Sequence, residues 1–119
     1  MQYAFLCYHS EKEVFAWSKE QTDRVMEDLT AVEARLRNQG RLGPAARLMP
    51  TSTATTLHKD HEPPLVLDGP FAETKEQLLG FFIIECADHA QAVETARELG
   101  VANPGGSYEF RPLLLYRAK

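Results

Sequence analysis

Apolar residues are concentrated in two runs along the chain. Residues 3–8 read Tyr-Ala-Phe-Leu-Cys-Tyr, and residues 78–86 read Leu-Leu-Gly-Phe-Phe-Ile-Ile-Glu-Cys. A strand with one face in water alternates apolar and polar residues, but in both runs the two alternating sets of positions are largely apolar. We therefore predict strands at Tyr3–Tyr8 and Leu78–Cys86 that are covered on both faces.

A segment with the periodicity of a helix lies between the two runs. Its apolar residues recur at spacings of four, three and four, which places them on one face: Val25, Leu29, Val32 and Leu36. Ser18 and Gln21 have the spacing of a capping box, and Gly40 stands where a glycine commonly ends a helix. We predict a long helix over Ser18–Gln39.

A second helix is predicted after the second apolar run. Asp88 is suited to cap its first turn, and Gly100 is suited to end it. Its apolar stripe consists of Ala92, Val93, Ala96 and Leu99.

The remaining segments carry weaker signals. Glu11–Trp17 is predicted to be a connector that can include a helical turn, and its apolar Val14, Phe15 and Trp17 need burial. A short strand is predicted within Arg41–Met49, where Gly43 and Pro44 interrupt it. Further strands are predicted at Thr51–Leu57, with one face exposed, at Leu65–Leu67 and at Tyr108–Tyr116, with a hairpin loop at His58–Pro64.

The order of these elements predicts an α+β fold. A strand–helix–strand unit occurs twice with a hairpin inserted between, which is the ferredoxin-like split βαβ arrangement. It has an antiparallel sheet with two helices on one face, in a single domain over residues 1–119. The helices cover only one face, so the apolar second face would be exposed in a monomer. We predict a homodimer in which two such sheets pack together.

Composition and charge exclude several functional classes. The formal net charge is −4, and Lys and Arg are dispersed, so we expect no nucleic-acid partner. Membrane spans are not expected, because no apolar run approaches about 20 residues. The first residues also lack the pattern of a signal peptide, and we expect a cytoplasmic protein with its two cysteines reduced.

The segment with the most chemistry is Asp68–Gln77, which reads Asp-Gly-Pro-Phe-Ala-Glu-Thr-Lys-Glu-Gln. Gly69 and Pro70 predict a sharp corner after the preceding strand. We expect the Asp68 carboxylate to brace this corner by accepting backbone N–H groups. The corner is then either purely structural or a means of directing charged side chains into a pocket.

A group of charged residues forms the main candidate site: Asp68, Glu73, Lys75, Glu76, Glu109 and Arg111. Glu109 and Arg111 share one face of the last strand because they are two residues apart. A partly desolvated Asp68 could act as an acid or base, with Lys75 and Arg111 orienting an anionic substrate. The alternative interpretation is a salt-bridge network that fastens the turn to the sheet.

Histidines offer two further candidates. His9 ends the first strand and could be catalytic, although a lone histidine there is more often structural. His58 and His61 have the spacing of metal ligands, but they lie in a predicted loop without further partners. We predict neither a metal nor a cofactor.

The motif at residues 68–76, Asp-Gly-Pro-Phe-x-Glu-x-Lys-Glu, resembles the signature of the DGPF proteins, a branch of the YCII-related family. Similar features are Asn38–Leu42, Thr53–Thr56, Gly80 and the Glu109-x-Arg111-Pro112 sequence. The resemblance implies a dimeric α+β barrel and bacterial, cytoplasmic proteins often encoded beside extracytoplasmic-function sigma factors. A His–Asp pair proposed for other members has its histidine on the first long helix. Ser18–Gln39 contains none, so that pair is not carried over.

Two functions follow from these observations. The first is binding of an unknown small molecule in a cleft at the dimer interface, with a possible sigma-factor pathway partner. The second is a small hydrolase- or lyase-like enzyme that uses Asp68 as acid or base.

Overall fold

The computed structural model describes residues 1–117. This part of the chain forms a four-stranded sheet, a separate two-stranded sheet and three α-helices. The strands are β1 (Gln2–His9), β2 (Leu42–Arg47), β3 (Thr55–His58), β4 (Leu65–Asp68), β5 (Gln77–Glu85) and β6 (Ser107–Pro112). The helices are α1 (Glu11–Phe15), α2 (Lys19–Asn38) and α3 (His89–Ala102).

The main sheet has the strand order β2-β5-β1-β6, and each neighbouring pair is antiparallel. The chain forms two strand–helix–strand units, β1-α2-β2 and β5-α3-β6. The β3–β4 hairpin is inserted between them, after β2 and before β5. This confirms the predicted α+β, ferredoxin-like architecture. The apolar runs form β1 and β5, the two central strands, as the sequence pattern predicted.

The two faces of the sheet differ in burial. Tyr3, Phe5 and Cys7 of β1 are buried on the face that α2 and α3 cover. The alternate residues lie on the opposite face, called the open face here: Ala4, Leu6, Tyr8, Phe81, Ile83, Ser107, Glu109 and Arg111. Its central apolar residues are only half-buried. The core therefore lies entirely between the sheet and the helices, around Phe5, Leu36 and Ile84.

The ends of α2 are those that the sequence predicts. The Ser18 hydroxyl accepts from the Gln21 N–H at 3.1 Å, and the Gln21 side chain accepts from the Ser18 N–H at 3.3 Å. Gly40 follows the helix with a φ of 70°, which is left-handed and favours glycine.

Several predicted boundaries are wrong. α3 continues through Gly100 to Ala102, because Leu99 and Ala102 extend the buried stripe and their burial outweighs the cost of one helical glycine. β6 ends at Pro112 instead of Tyr116. Phe15, which was expected to be buried, is 56% exposed at the end of α1.

The region between β2 and β4 also differs from the prediction. β2 is not broken by Gly43 and Pro44; an irregular register between Leu42 and Ala45 accommodates them. Residues Thr51–Thr53 form a 3-10 turn, so β3 is shorter than the predicted strand.

The β3–β4 hairpin is separate from the main sheet, but its base is fastened. Thr51 donates its N–H and its hydroxyl to the Glu11 carboxylate at 2.7 and 2.8 Å. The Leu48 N–H donates to the Leu79 carbonyl at 2.8 Å. The hairpin itself exposes Val66 and Leu67 to solvent.

Within residues 1–117, we find no helix with the length and apolar character that crossing a membrane requires. Cys7 and Cys86 are both buried and free.

Candidate functional site

The corner after β4 is not braced by Asp68. The Gly69 N–H donates to the Ala54 carbonyl at 2.8 Å, and the Thr56 hydroxyl donates to the Gly69 carbonyl at 2.8 Å. Gly69 has a φ of 106°, which explains the glycine. The Asp68 side chain is exposed and forms no hydrogen bond or ion pair within the described residues. The expected role of its carboxylate in the turn is therefore wrong.

The salt-bridge network offered as the alternative interpretation is also absent from residues 1–117. No ion pair within 4.0 Å involves any of the candidate residues: Asp68, Glu73, Lys75, Glu76, Glu109 and Arg111. All six side chains belong to exposed residues.

Half of this group lies around one large depression, which we call the loop cleft. Lys75 and Glu76 line it from the turn, and Tyr8 and Glu109 line it from the open face. Its volume is about 1030 Å³, and its other walls come mainly from Leu48–Ala54 and Pro70–Leu78. Asp68, Glu73 and Arg111 do not line it. The structure thus brings the DGPF turn to the open face but leaves Asp68 outside the cleft.

His9 is held by packing on the helix-covered face. Its Nδ1 accepts from the Ser10 N–H at 2.7 Å, which leaves the proton of the neutral ring on Nε2. Its ring meets Trp17 edge-on with centroids 5.7 Å apart. His9 is 6% exposed and lines neither the loop cleft nor the cavity described next. These contacts account for the burial of His9, and its catalytic role stays a prediction.

A half-open cavity lies between α2 and the sheet, and we call it the inner cavity. It has a volume of about 240 Å³. Small residues of the sheet form part of its floor: Cys7, Ala45 and Gly80. α2 covers this space with Thr22, Val25, Met26, Leu29 and Glu33. The rest of the lining is mainly apolar and includes Val14, Trp17 and Phe82. Arg47 adds a charged side chain.

The inner cavity contains one polar cluster. Asn103 caps the C-terminal end of α3. Its Nδ2 donates to the Tyr108 hydroxyl at 3.1 Å and to the Cys7 sulfur at 3.6 Å. Burial raises the pKa of the Tyr108 hydroxyl. The Asn103 hydrogen bond opposes this rise in pKa by a smaller amount, and Cys7 and the Glu33 charge add to it. Burial also raises the pKa of the Cys7 thiol, against smaller opposing effects of Tyr108, Asn103 and Arg47. Both groups are therefore neutral at pH 7.

These two pKa shifts predict that the protein loses stability in alkali. The ordinary pKa values are 9.0 for the thiol and 10.0 for the phenol. Above those values the unfolded chain releases protons that the folded chain retains, so the free energy of unfolding falls as pH rises. Each group contributes a slope of at most about 1.4 kcal/mol per pH unit. Urea denaturation between pH 8 and 11 measures this slope.

Tyr108→Phe should show a shallower decline over the same pH range, because its titrating hydroxyl is gone. Tyr116→Phe, which removes a more exposed tyrosine, serves as the control and should decline as the wild type does. Equal slopes for Tyr108→Phe and the wild type would contradict the prediction.

No pattern in the sequence predicts the inner cavity. Asn103 and Cys7 are 96 positions apart, and Cys7 has the appearance of an ordinary small core residue. Gly80 inside a central apolar run is no signal of the cavity, because an added Cβ there would overlap the Ala46 carbonyl oxygen of β2.

Within residues 1–117, no three His, Cys, Asp or Glu side chains are grouped so that they could hold a metal ion. His58 and His61 pack against each other, with ring centroids 6.1 Å apart.

Comparison with known proteins identifies a domain family but no activity. A family model for the YCII-related domain matches residues 1–116. An uncharacterized protein of Rhizobium meliloti (strain 1021) is 55% identical over 118 residues, which cover 98% of this chain and 95% of that protein. The chain therefore belongs to the YCII-related family.

Proposed function

We propose that this protein binds a small, mainly apolar molecule with one neutral polar group, and that the inner cavity is the site. The observation that carries the proposal is a half-open, mainly apolar space that contains a hydrogen-bonded polar cluster at Cys7, Asn103 and Tyr108. Ligand sites of this composition are common, because apolar walls provide affinity and a few polar groups fix orientation.

The volume of the inner cavity limits the size of the ligand. A dry cavity of about 150 Å³ lined by apolar side chains can hold benzene. The inner cavity measures about 240 Å³ and therefore suits one ring with a short substituent. We infer that the substituent contacts the Asn103 cluster while the ring lies against Val25 and Trp17.

The protonation of the cluster favours binding over catalysis. Raised pKa values keep the Cys7 thiol and the Tyr108 hydroxyl protonated at neutral pH. A protonated thiol is a poor nucleophile, and a protonated phenol cannot accept a proton as a base. The alternative enzyme based on Asp68 gains no support, because Asp68 is exposed and lies outside both the cavity and the loop cleft.

Calorimetric titration with 4-methylphenol and toluene tests the proposal. We expect 4-methylphenol to bind with a dissociation constant on the order of 1 mM or tighter and toluene to bind more weakly. Trp17 is the only tryptophan in the sequence and lines the cavity, so its fluorescence should change on binding.

A matched pair of variants locates the site. Val25→Phe fills the cavity and should abolish binding, whereas Val101→Phe makes the same change at an 83% exposed position and should bind as the wild type does. Unchanged affinity in a folded Val25→Phe variant, or no saturable binding by the wild type, would overturn the proposal.

We also propose that the protein is a homodimer formed through the open face. Ala4, Leu6, Phe81 and Ile83 give the centre of this face an apolar surface that no element of the described chain covers. The loop cleft is wide and open, so a ligand predicted at the dimer cleft would need the second copy to enclose it. The DGPF branch and the sigma-factor link stay predictions, because both rest on the resemblance alone.

A further inference from the structure

An apolar segment that follows β6 has no packing partner within residues 1–117. Residues Leu113–Tyr116, called the C-terminal segment here, read Leu-Leu-Leu-Tyr. Leu114 is fully exposed and Leu115 is 65% exposed. Consecutive exposed apolar residues of this kind commonly mark an interaction surface.

The loop cleft matches this segment in character. Leu48, Met49, Pro50, Phe71 and Leu78 contribute to its lining, and Met49 and Phe71 are 74% and 83% exposed. The cleft and the segment are thus two apolar surfaces that each lack a cover within the described residues.

The segment cannot fill the cleft of its own chain. The cleft lies at the Ser107 end of β6, whereas the segment leaves from the Pro112 end. The Leu113 N–H donates to the Gln2 carbonyl at 2.8 Å, so the chain still runs away from the cleft at that residue. Returning from Leu113 to Glu109, the nearest residue of β6 that lines the cleft, requires about 13 Å along four strand residues. Leu114–Tyr116 span at most about 11 Å.

A second copy removes this difficulty. In a two-fold interface between open faces, with the two β6 strands antiparallel, each segment lies over the cleft end of the other sheet. Glu109 and Arg111 both lie on the open face without an ion pair among residues 1–117. In this arrangement Glu109 faces Arg111 of the partner subunit, and symmetry repeats the pair.

We infer that the C-terminal segment of each copy packs into the loop cleft of the other copy and closes it. This inference rests on the homodimer proposed above and specifies which residues of the second copy complete the cleft. Leu114 and Leu115 fill the apolar part between Met49 and Phe71, and the Glu109–Arg111 pairs fix the antiparallel register.

Sedimentation equilibrium of a Leu114→Glu/Leu115→Glu double variant tests the inference. We expect its dimer dissociation constant to rise at least tenfold, because charges would enter an apolar cleft. Val101→Glu introduces the same charge at an exposed position on α3 and should dimerise as the wild type does. Circular dichroism should show that both variants remain folded.

Cross-linking tests the contact directly. A mixture of Met49→Cys and Leu115→Cys proteins should form a disulfide-linked heterodimer on mild oxidation, whereas Met49→Cys with Val101→Cys should not. The native Cys7 and Cys86 are buried and should not compete.

These experiments distinguish the contact of the C-terminal segment from the homodimer on which that contact depends. A double variant that dimerises as tightly as the wild type, or equal cross-linking of Met49→Cys to both partners, would overturn the segment contact and leave the dimer standing. A wild type that is monomeric at micromolar concentration would overturn both. Ligand binding in the inner cavity is measured separately and would survive either result.

Discussion

Phe5→Ala is expected to lower the free energy of unfolding by about 3–5 kcal/mol. Phe5 is fully buried at the centre of β1, and its ring stacks on Phe110 of β6 with centroids 5.3 Å apart. Its backbone partners are Phe82 on one side and Phe110 on the other. Truncation therefore leaves a cavity at the junction of three strands. A domain of this size has a total stability of roughly 5–15 kcal/mol, so the loss would be a large part of it.

Urea denaturation at one fixed protein concentration measures this loss, because association makes apparent stability depend on concentration. Phe15→Ala makes the same change at an exposed site on α1 and should cost under about 1 kcal/mol. A similar loss for both variants would show that Phe5 is not at the centre of the core.

Gly106→Ala is expected to destabilise the protein by about 2–4 kcal/mol. Gly106 has a φ of 73°, in the left-handed region that disfavours a side chain. An added Cβ would overlap the Tyr8 carbonyl oxygen and lie 3.0 Å from the Cβ of His9. The end of β1 would have to move away from β6, and His9 would lose its position against Trp17.

Gly100→Ala provides the matched control for this loop. Gly100 lies within α3, and an added Cβ would meet no heavy atom within 4 Å. Alanine is the better helix former, so the change should stabilise the protein by up to about 1 kcal/mol. Thermal unfolding of the two variants should therefore move in opposite directions, and destabilisation of both by the same amount would contradict this explanation.

The sequence predicts the framework of the fold because its signals there are local. Ser18, Gln21 and Gly40 determine the ends of α2 through contacts within a few residues of each other. The two apolar runs identify the central strands β1 and β5, although within residues 1–117 only one face of these strands is covered.

Tertiary packing decides what the sequence does not predict. Gly100 has the character of a helix end, but burial of Ala102 carries the helix past it. Asp68 has the character of a turn brace, but Thr56 and Ala54 from the neighbouring strand region hold the turn instead. The polar cluster of the inner cavity brings Asn103 to Cys7 from 96 positions away, and local sequence patterns do not predict such a contact.

The fastened base of the β3–β4 hairpin has a consequence for how this chain can vary. Glu11 holds Thr51 at one side of the base, and Gln77 holds the Thr74 carbonyl at the other. The hairpin beyond those contacts shares no strand pairing with the main sheet. Its length and sequence can therefore diverge among homologues while the core and the inner cavity stay intact. The insertion is a region where a new binding specificity could evolve on a constant scaffold.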